Sequence, residues 1–369
     1  MPPRVVDVFH ALPSALLRAA HQRGIIEHVR LPSPTLSLSE RRAWLKHELP
    51  GASAAIIWVN VGRFGNEYLD AAGNSLKVVA TYTVGHDHID LDALRRRGVA
   101  LGHTPYKSDD AVANATLLML LMALRRAGEH VDIARRGDWA DYYTQTATGP
   151  LASCHLAGAS VQNATVGFYG FGRIAQKVAE RILPMGPRAL LYSASVPRAF
   201  TAATYPRLHQ VVENIYPDVR VANEPDLHSL AAQSDVLVCL TSLVAETHHS
   251  INADVLAKMK KQAVLVNVSR GPVVDTVALI KALREDQISA AALDVLEGEP
   301  DIPANHPLLD ESLRNKVVLM PHFSGAEVLT RRRMADLTAR NVLKGLNIQV
   351  DEDLYNEQVT PADRSTYFV

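Results

Sequence analysis

Short apolar runs alternate with amphipathic stretches along most of the chain, which predicts strands and helices in turn. Residues 5–9, 54–59, 76–81 and 99–103 read as strands. Residues 13–22, 39–49, 66–72 and 90–97 read as helices, with Pro50-Gly51, Gly73-Asn74 and Gly98 as stops. Strands separated by helices at this spacing imply a parallel sheet covered on both faces. The stretch 109–126, DDAVANATLLMLLMALRR, is apolar nearly all round in its middle, which predicts a buried helix. Its acidic start and basic end suit the helix dipole, and we read it as a bridge between two domains.

Residues 127–162 read as a long connection carrying Trp139, Tyr142 and Tyr143; an arm of this length either works or packs on a partner. Beyond it, 165–169, 189–192, 236–240, 263–268, 289–293 and 317–320 read as strands. Helices are predicted at 226–233, 253–260, 275–285 and 326–345, and 201–223 reads as an irregular, exposed insertion. The tail 347–369 is polar. Six or so strands fit a doubly wound sheet, which binds ligands beyond the carboxyl ends of its strands. The last helix is expected to cross back to the first domain. The domains would then be 1–108 with 326–369, and 109–325 with an arm at 127–162.

The stretch ATVGFYGFGRIAQKVAER, 164–181, joins a strand to a helix through G-x-G-x-x-A. Gly170 permits a tight turn and Gly172 lets the backbone approach a pyrophosphate. Ala175 allows close packing of helix on strand. The turn and new helix, Gly170, Phe171, Gly172, Arg173 and Ile174, are the candidate dinucleotide site. Three other strand ends carry ionisable groups: Arg270 after 263–268, Asp294, Glu297 and Glu299 after 289–293, and His322 after 317–320. An arginine can hold a carboxylate through two hydrogen bonds, and a histidine backed by a carboxylate can act as an acid. Each also has a plain structural reading, as a surface ion pair, a solvated acid or a core histidine.

A net charge of −1 argues against a nucleic-acid or anionic-membrane partner. Cys154 and Cys239 form no disulfide framework and no metal spacing, which points to a reducing, cytoplasmic home. The arginine-containing, acid-poor N-terminus makes a mitochondrial presequence the alternative. Gly85-His86-Asp87-His88 is not by itself a ligand set, and His248-His249 reads as a solvated turn, so no metal is expected.

Taken together, TVGHDHIDLDALRRRGV, the glycine motif, MKKQAVLVNVSRGPVVDTVALIKAL, AAALDVLEGEP and MPHFSG resemble successive blocks of the D-isomer-specific 2-hydroxyacid dehydrogenases. ARRGDW and NHPLL are similar to the glyoxylate and hydroxypyruvate reductase branch. The resemblance implies a Rossmann-type doubly wound sheet plus a second, discontinuous, flavodoxin-like α/β substrate domain. It implies Arg270, Glu299 and His322 as catalytic residues and Asp294 beside the nicotinamide amide. It implies Val84-Gly85 amides on the substrate carboxylate, a homodimer through the arm, and Trp139 reaching the partner's active site. The implied reaction is hydride transfer from NAD(P)H to a small 2-keto acid, glyoxylate or hydroxypyruvate, with His322 protonating the oxygen. Other D-2-hydroxy acids, 3-phosphoglycerate oxidation and a nucleotide-sensing corepressor scaffold are the alternatives. Asn114, Tyr142, His86 and the length of 200–223 depart from the closest branch, while Glu299 separates the chain from the formate dehydrogenases, which carry glutamine there.

Cofactor choice follows from charge. An acid at the end of the second strand would bind the ribose hydroxyl of NAD. Here the strand ends LLYSASVPR, offering Ser193, Ser195 and Arg198 and no acid, which favours NADPH over NADH.

Overall fold

The computed structural model describes residues 1–140, 142 and 157–349. The chain divides into two compact units, Met1–Ser108 with Gly325–Val369, and Asp109–Ser324.

The first unit holds β1 (Arg4–Asp7), β2 (Glu27–Arg30), β3 (Ala54–Ile57), β4 (Val78–Thr81) and β5 (Ala100–Gly102). They form one parallel sheet in the order β2-β1-β3-β4-β5, the flavodoxin-like arrangement. The central strands AAII and VVAT are buried at every position, because helices cover both faces. One face is covered by the final helix, Val328–Gly345. Its Met334, Ala335, Ala339, Val342 and Leu343 share a core with Val5, Ile56 and Val78. Helix starts are fixed locally. Ser37 and Glu40 make a reciprocal capping box, and Ser14 and Asp90 cap their helices. β2, EHVR, is an edge strand with no fully buried position. It carries too little apolar pattern to be predicted.

The second unit holds β6 (Thr165–Tyr169), β7 (Ala189–Ser193), β8 (Arg220–Asn223), β9 (Val236–Cys239), β10 (Val264–Asn267), β11 (Ala290–Leu293) and β12 (Val317–Leu319). The parallel order is β12-β11-β10-β9-β6-β7-β8. Chain direction across the sheet reverses between β6 and β9, and ligands bind such sheets at that crevice. The helix Asp109–Leu124 belongs wholly to this unit. It lies along the helix Arg173–Ile182, where Asp110 meets Lys177 and Arg181 and Asn114 accepts from Arg181 Nε at 2.7 Å.

Two sequence expectations are corrected here. Residues 201–223 are not an irregular exposed insertion. They contain the helix Pro206–Ile215 and the edge strand β8. Leu208 and Val212, one helical turn apart, enter the core beside Phe171 and Tyr192. Leu208, Val211, Val212 and Ile215 keep the i, i+3, i+4, i+7 spacing of an amphipathic helix, a signal that the reading as an insertion passed over. The connection 127–162 likewise opens with a helix, Ala127–Arg136, whose Asp132 pairs with Arg314 at 2.8 Å. Tyr143 and Cys154 lie outside the described residues. Among the described residues no single helix is long and apolar enough to cross a membrane.

Candidate active site

Strands β10, β11 and β12 are neighbours, so the loops leaving their carboxyl ends are neighbours too. The first carries Arg270. Asn267, 1% exposed, braces it: its Nδ2 donates to the Arg270 carbonyl at 2.9 Å and its Oδ1 accepts from the Ser269 amide and hydroxyl. Arg270 Nη1 donates to the Ser269 carbonyl at 2.7 Å. Gly271 allows contact with the second loop; a Cβ there would stand 2.0 Å from the Leu296 carbonyl carbon.

The second loop carries Glu299. Its Oε2 lies 2.8 Å from His322 Nδ1, and its Oε1 accepts from the Leu296 amide. One carboxylate therefore fixes its own loop and the imidazole together. His322 adopts φ +52 and stays 43% exposed at the side chain. With Nδ1 facing the carboxylate, Nε2 is the nitrogen left to exchange a proton. Asp294 holds this backbone in place. It is 1% exposed, accepts from Phe323 N at 2.8 Å and Ser324 N at 3.1 Å, and its carbonyl accepts from His322 N. Burial pushes its carboxyl pKa up, and the hydrogen bonds from Ser324 and Phe323 pull it back. Both its oxygens serve the histidine loop, a task the sequence reading did not assign to it.

The glycine turn follows β6. Gly170 has φ +93, and a Cβ there would fall 2.7 Å from the Leu240 carbonyl carbon and Thr241 nitrogen, so only glycine fits. A Cβ on Gly172 would meet nothing within 4 Å, which leaves open space over the first turn of the helix Arg173–Ile182. The first amides of a helix have no intrahelical acceptor and suit an anion. The turn thus has the room and the donors that a dinucleotide pyrophosphate requires. Phe171 is 5% exposed and stacks on Tyr192 at 4.2 Å, so its side chain belongs to the core and only its backbone can face a ligand. Arg173 Nε donates to buried Asp109 at 3.0 Å. Ile174 packs against the core.

At the end of β7, Ser193 is 7% exposed. Its hydroxyl points to the Pro225 carbonyl at 3.5 Å and its carbonyl accepts from Gly170 N. Ser195 and Arg198 are exposed on the following loop. Of the three, Ser195 and Arg198 have the access a phosphate group would need.

In the first unit, Val84 and Gly85 follow β4. His103 Nδ1 lies 2.9 Å from the Val84 carbonyl oxygen, and the Thr83 hydroxyl donates to the Gly85 carbonyl at 2.6 Å. Peptide planes are flat and trans, so tying back both carbonyls turns the Gly85 and His86 amides to the opposite side. His88 Nε2 sits 3.1 Å from Thr81 Oγ1, which in turn meets Thr83 Oγ1 at 2.7 Å. His88 of GHDH thus serves as a brace here. Trp139 in the second unit is 59% exposed.

The pair His248-His249 is only in part the solvated turn expected. His249 Nε2 lies 2.9 Å from Glu297 Oε1, a contact no motif signalled. Cys239 is fully buried, and burial pushes its thiol up to about 12.

Comparison with known proteins agrees with this architecture. The profile of the D-isomer specific 2-hydroxyacid dehydrogenase NAD binding domain matches residues 117–324. A glyoxylate reductase of Thermofilum pendens is 38% identical over 305 residues, which cover 83% of this chain and 82% of that protein. The human glyoxylate reductase/hydroxypyruvate reductase is 39% identical over 278 residues, 75% of this chain and 76% of that protein. The crystal structure of an NADPH-dependent glyoxylate/hydroxypyruvate reductase from Sinorhizobium meliloti, in complex with NADP and malonate, superposes with a TM-score of 0.71 at 28% identity. It covers 98% of this chain and all of that one. The two parallel sheets, the glycine turn and the Glu299–His322 pair, read with these matches, place the chain in the D-isomer-specific 2-hydroxyacid dehydrogenase family.

Proposed function

We propose that the protein reduces small 2-keto acids, glyoxylate and hydroxypyruvate first, to D-2-hydroxy acids with NADPH. The observation that carries this reading is the 2.8 Å contact of His322 with Glu299 on the strand edge next to the Arg270 loop. When bound, the reduced nicotinamide supplies the hydride.

The chain's own residues do the rest. Arg270 holds the substrate carboxylate through two parallel hydrogen bonds. Glu299 accepts a hydrogen bond from Nδ1–H of His322 and keeps the ring turned. His322 then delivers its Nε2 proton to the oxygen that becomes alkoxide. Asp294 acts as a positioning residue for the His322 loop. Gly170, Gly172 and the amides of Arg173 and Ile174 face the pyrophosphate, with Phe171 contributing backbone only. Arg198 and Ser195 receive the ribose 2′-phosphate, which gives the preference for NADPH over NADH.

The protein acts as a homodimer. The exposure of Leu118, Val131 and Trp139, 47%, 44% and 59%, supports this reading. Its cysteine usage suits the cytoplasm.

The test is a kinetic panel of glyoxylate, hydroxypyruvate, pyruvate and phenylpyruvate with NADPH and NADH at subsaturating concentration. Oxidation of NADPH with the two small acids is expected. A preference for phenylpyruvate would move the substrate class, and a preference for NADH would reverse the cofactor. Turnover with none of them, with cofactor still bound, would favour a nucleotide-sensing scaffold.

A further inference from the structure

The loops after β9 and β11 bring together three side chains that the reaction does not use. His248, His249 and Glu297 each offer one ligand atom, and these atoms all lie within 4.8 Å of one another. The two imidazoles stack with centroids 4.1 Å apart and planes at 30°. Consecutive residues of an extended chain point to opposite sides. His248 is extended, at φ −63 and ψ 124, but His249 adopts φ +49. A left-handed residue of this kind is uncommon outside glycine, and here it cancels the alternation so that both rings lie on one side. The bend is held by His249 N–H, which donates to the Pro272 carbonyl at 2.8 Å. The carboxylate is set from another direction, by the Thr276 hydroxyl at 3.4 Å from Glu297 Oε2.

We propose that His248, His249 and Glu297 bind a divalent transition-metal ion of the zinc type. Two imidazoles and a carboxylate suit zinc, copper or nickel; magnesium and calcium prefer oxygen donors throughout. Ligand distances of about 2.0–2.1 Å put the donors of a tetrahedral centre about 3.3 Å apart. The 2.9 Å His249–Glu297 contact therefore opens by about 0.4 Å to admit an ion. His248, exposed and not held by the sheet, turns to complete the triad, and water takes the fourth position. Thr276 orients the carboxylate, as second partners of metal ligands do.

The place of the site gives it a consequence. Glu297 stands two residues before Glu299, and the carbonyl that holds His249 stands two residues after Arg270. An ion here ties the loop after β9 to the loop that carries Glu299, and the His249–Pro272 hydrogen bond sets it against the loop that carries Arg270. The binding itself does not depend on which substrate is reduced.

The experiment uses the full-length, tag-free protein. Zinc is titrated calorimetrically, and cobalt is titrated with its visible absorption as the record of coordination geometry. One zinc per chain and an intense tetrahedral cobalt band are expected. His248→Ala and Glu297→Gln should each weaken binding by more than about tenfold and remove the band, and Thr276→Val should weaken it about tenfold. His248 is exposed, so its variant keeps the fold, which circular dichroism checks. Absence of zinc uptake by the wild type overturns the proposal. So does uptake unchanged in both His248→Ala and Glu297→Gln, which would place the ion on other histidines.

Discussion

Replacing Glu299 by glutamine separates what its carboxylate does from the space it fills. Two N–H donors converge on it: Leu296 N on Oε1 and His322 Nδ1 on Oε2. A carboxylate accepts both, whereas an amide has one acceptor oxygen and presents an NH2 group at the other position. Glutamine therefore satisfies either the loop or the imidazole, and one N–H faces another. A hydrogen bond to a charged group contributes about 1.5–3 kcal/mol. The side chains of His322 and Glu299 are 43% and 27% exposed, so solvent screens part of that. About 2 kcal/mol remains, which corresponds to about thirtyfold in kcat. The assay is initial-rate kinetics with NADPH and glyoxylate, alongside cofactor binding by fluorescence and thermal unfolding. We expect kcat to fall about thirtyfold while the cofactor Kd moves by less than about twofold. A kcat within about twofold of wild type in a stably folded variant would refute the reasoning. So would a loss confined to cofactor affinity.

Other consequences are equally direct. Leu208→Ala should cost about 2–4 kcal/mol in denaturant unfolding, because its side chain is core; an exposed insertion would lose almost nothing. Asp294→Asn leaves one acceptor for the amides of Phe323 and Ser324 and should destabilise by about 1–3 kcal/mol. Burial raises the Asp294 pKa above its unfolded value, so its contribution to stability is complete below about pH 4 and declines as pH rises through the folded pKa. The asparagine variant should lack that decline in unfolding free energy measured against pH. Arg198→Glu should raise KM for NADPH by at least about tenfold and leave KM for NADH little changed. An equal effect on both cofactors would show that Arg198 does not meet the 2′-phosphate.

Strongly apolar elements were legible in the sequence. Thr165–Tyr169 and Asn66–Ala72 are read to the residue, and the other wholly buried strands to within one or two. What escaped was two edge strands and one amphipathic helix. β2 and β8 sit at sheet edges, with mixed patterns, and Pro206–Ile215 buries two side chains. Candidate residues were legible because strand ends in a doubly wound sheet converge. Their supports were not. Glu299 behind His322 was expected from the resemblance, but Asp294 under the histidine loop and His103 under Val84 join residues far apart in the chain. No spacing rule signals such pairs. Ser193 shows the opposite error: a hydroxyl at the right strand end, but buried and aimed at Pro225.

The helix Val328–Gly345 fills the core of a sheet whose strands lie in the first 102 residues. During synthesis that sheet leaves the ribosome long before the helix that seals it. The unit ending at Ser324 is complete first and can fold while that face of the earlier sheet is covered only in part, by the helix Ala15–Gln22. The first unit, though its strands are made first, is therefore completed only when the last helix has been made.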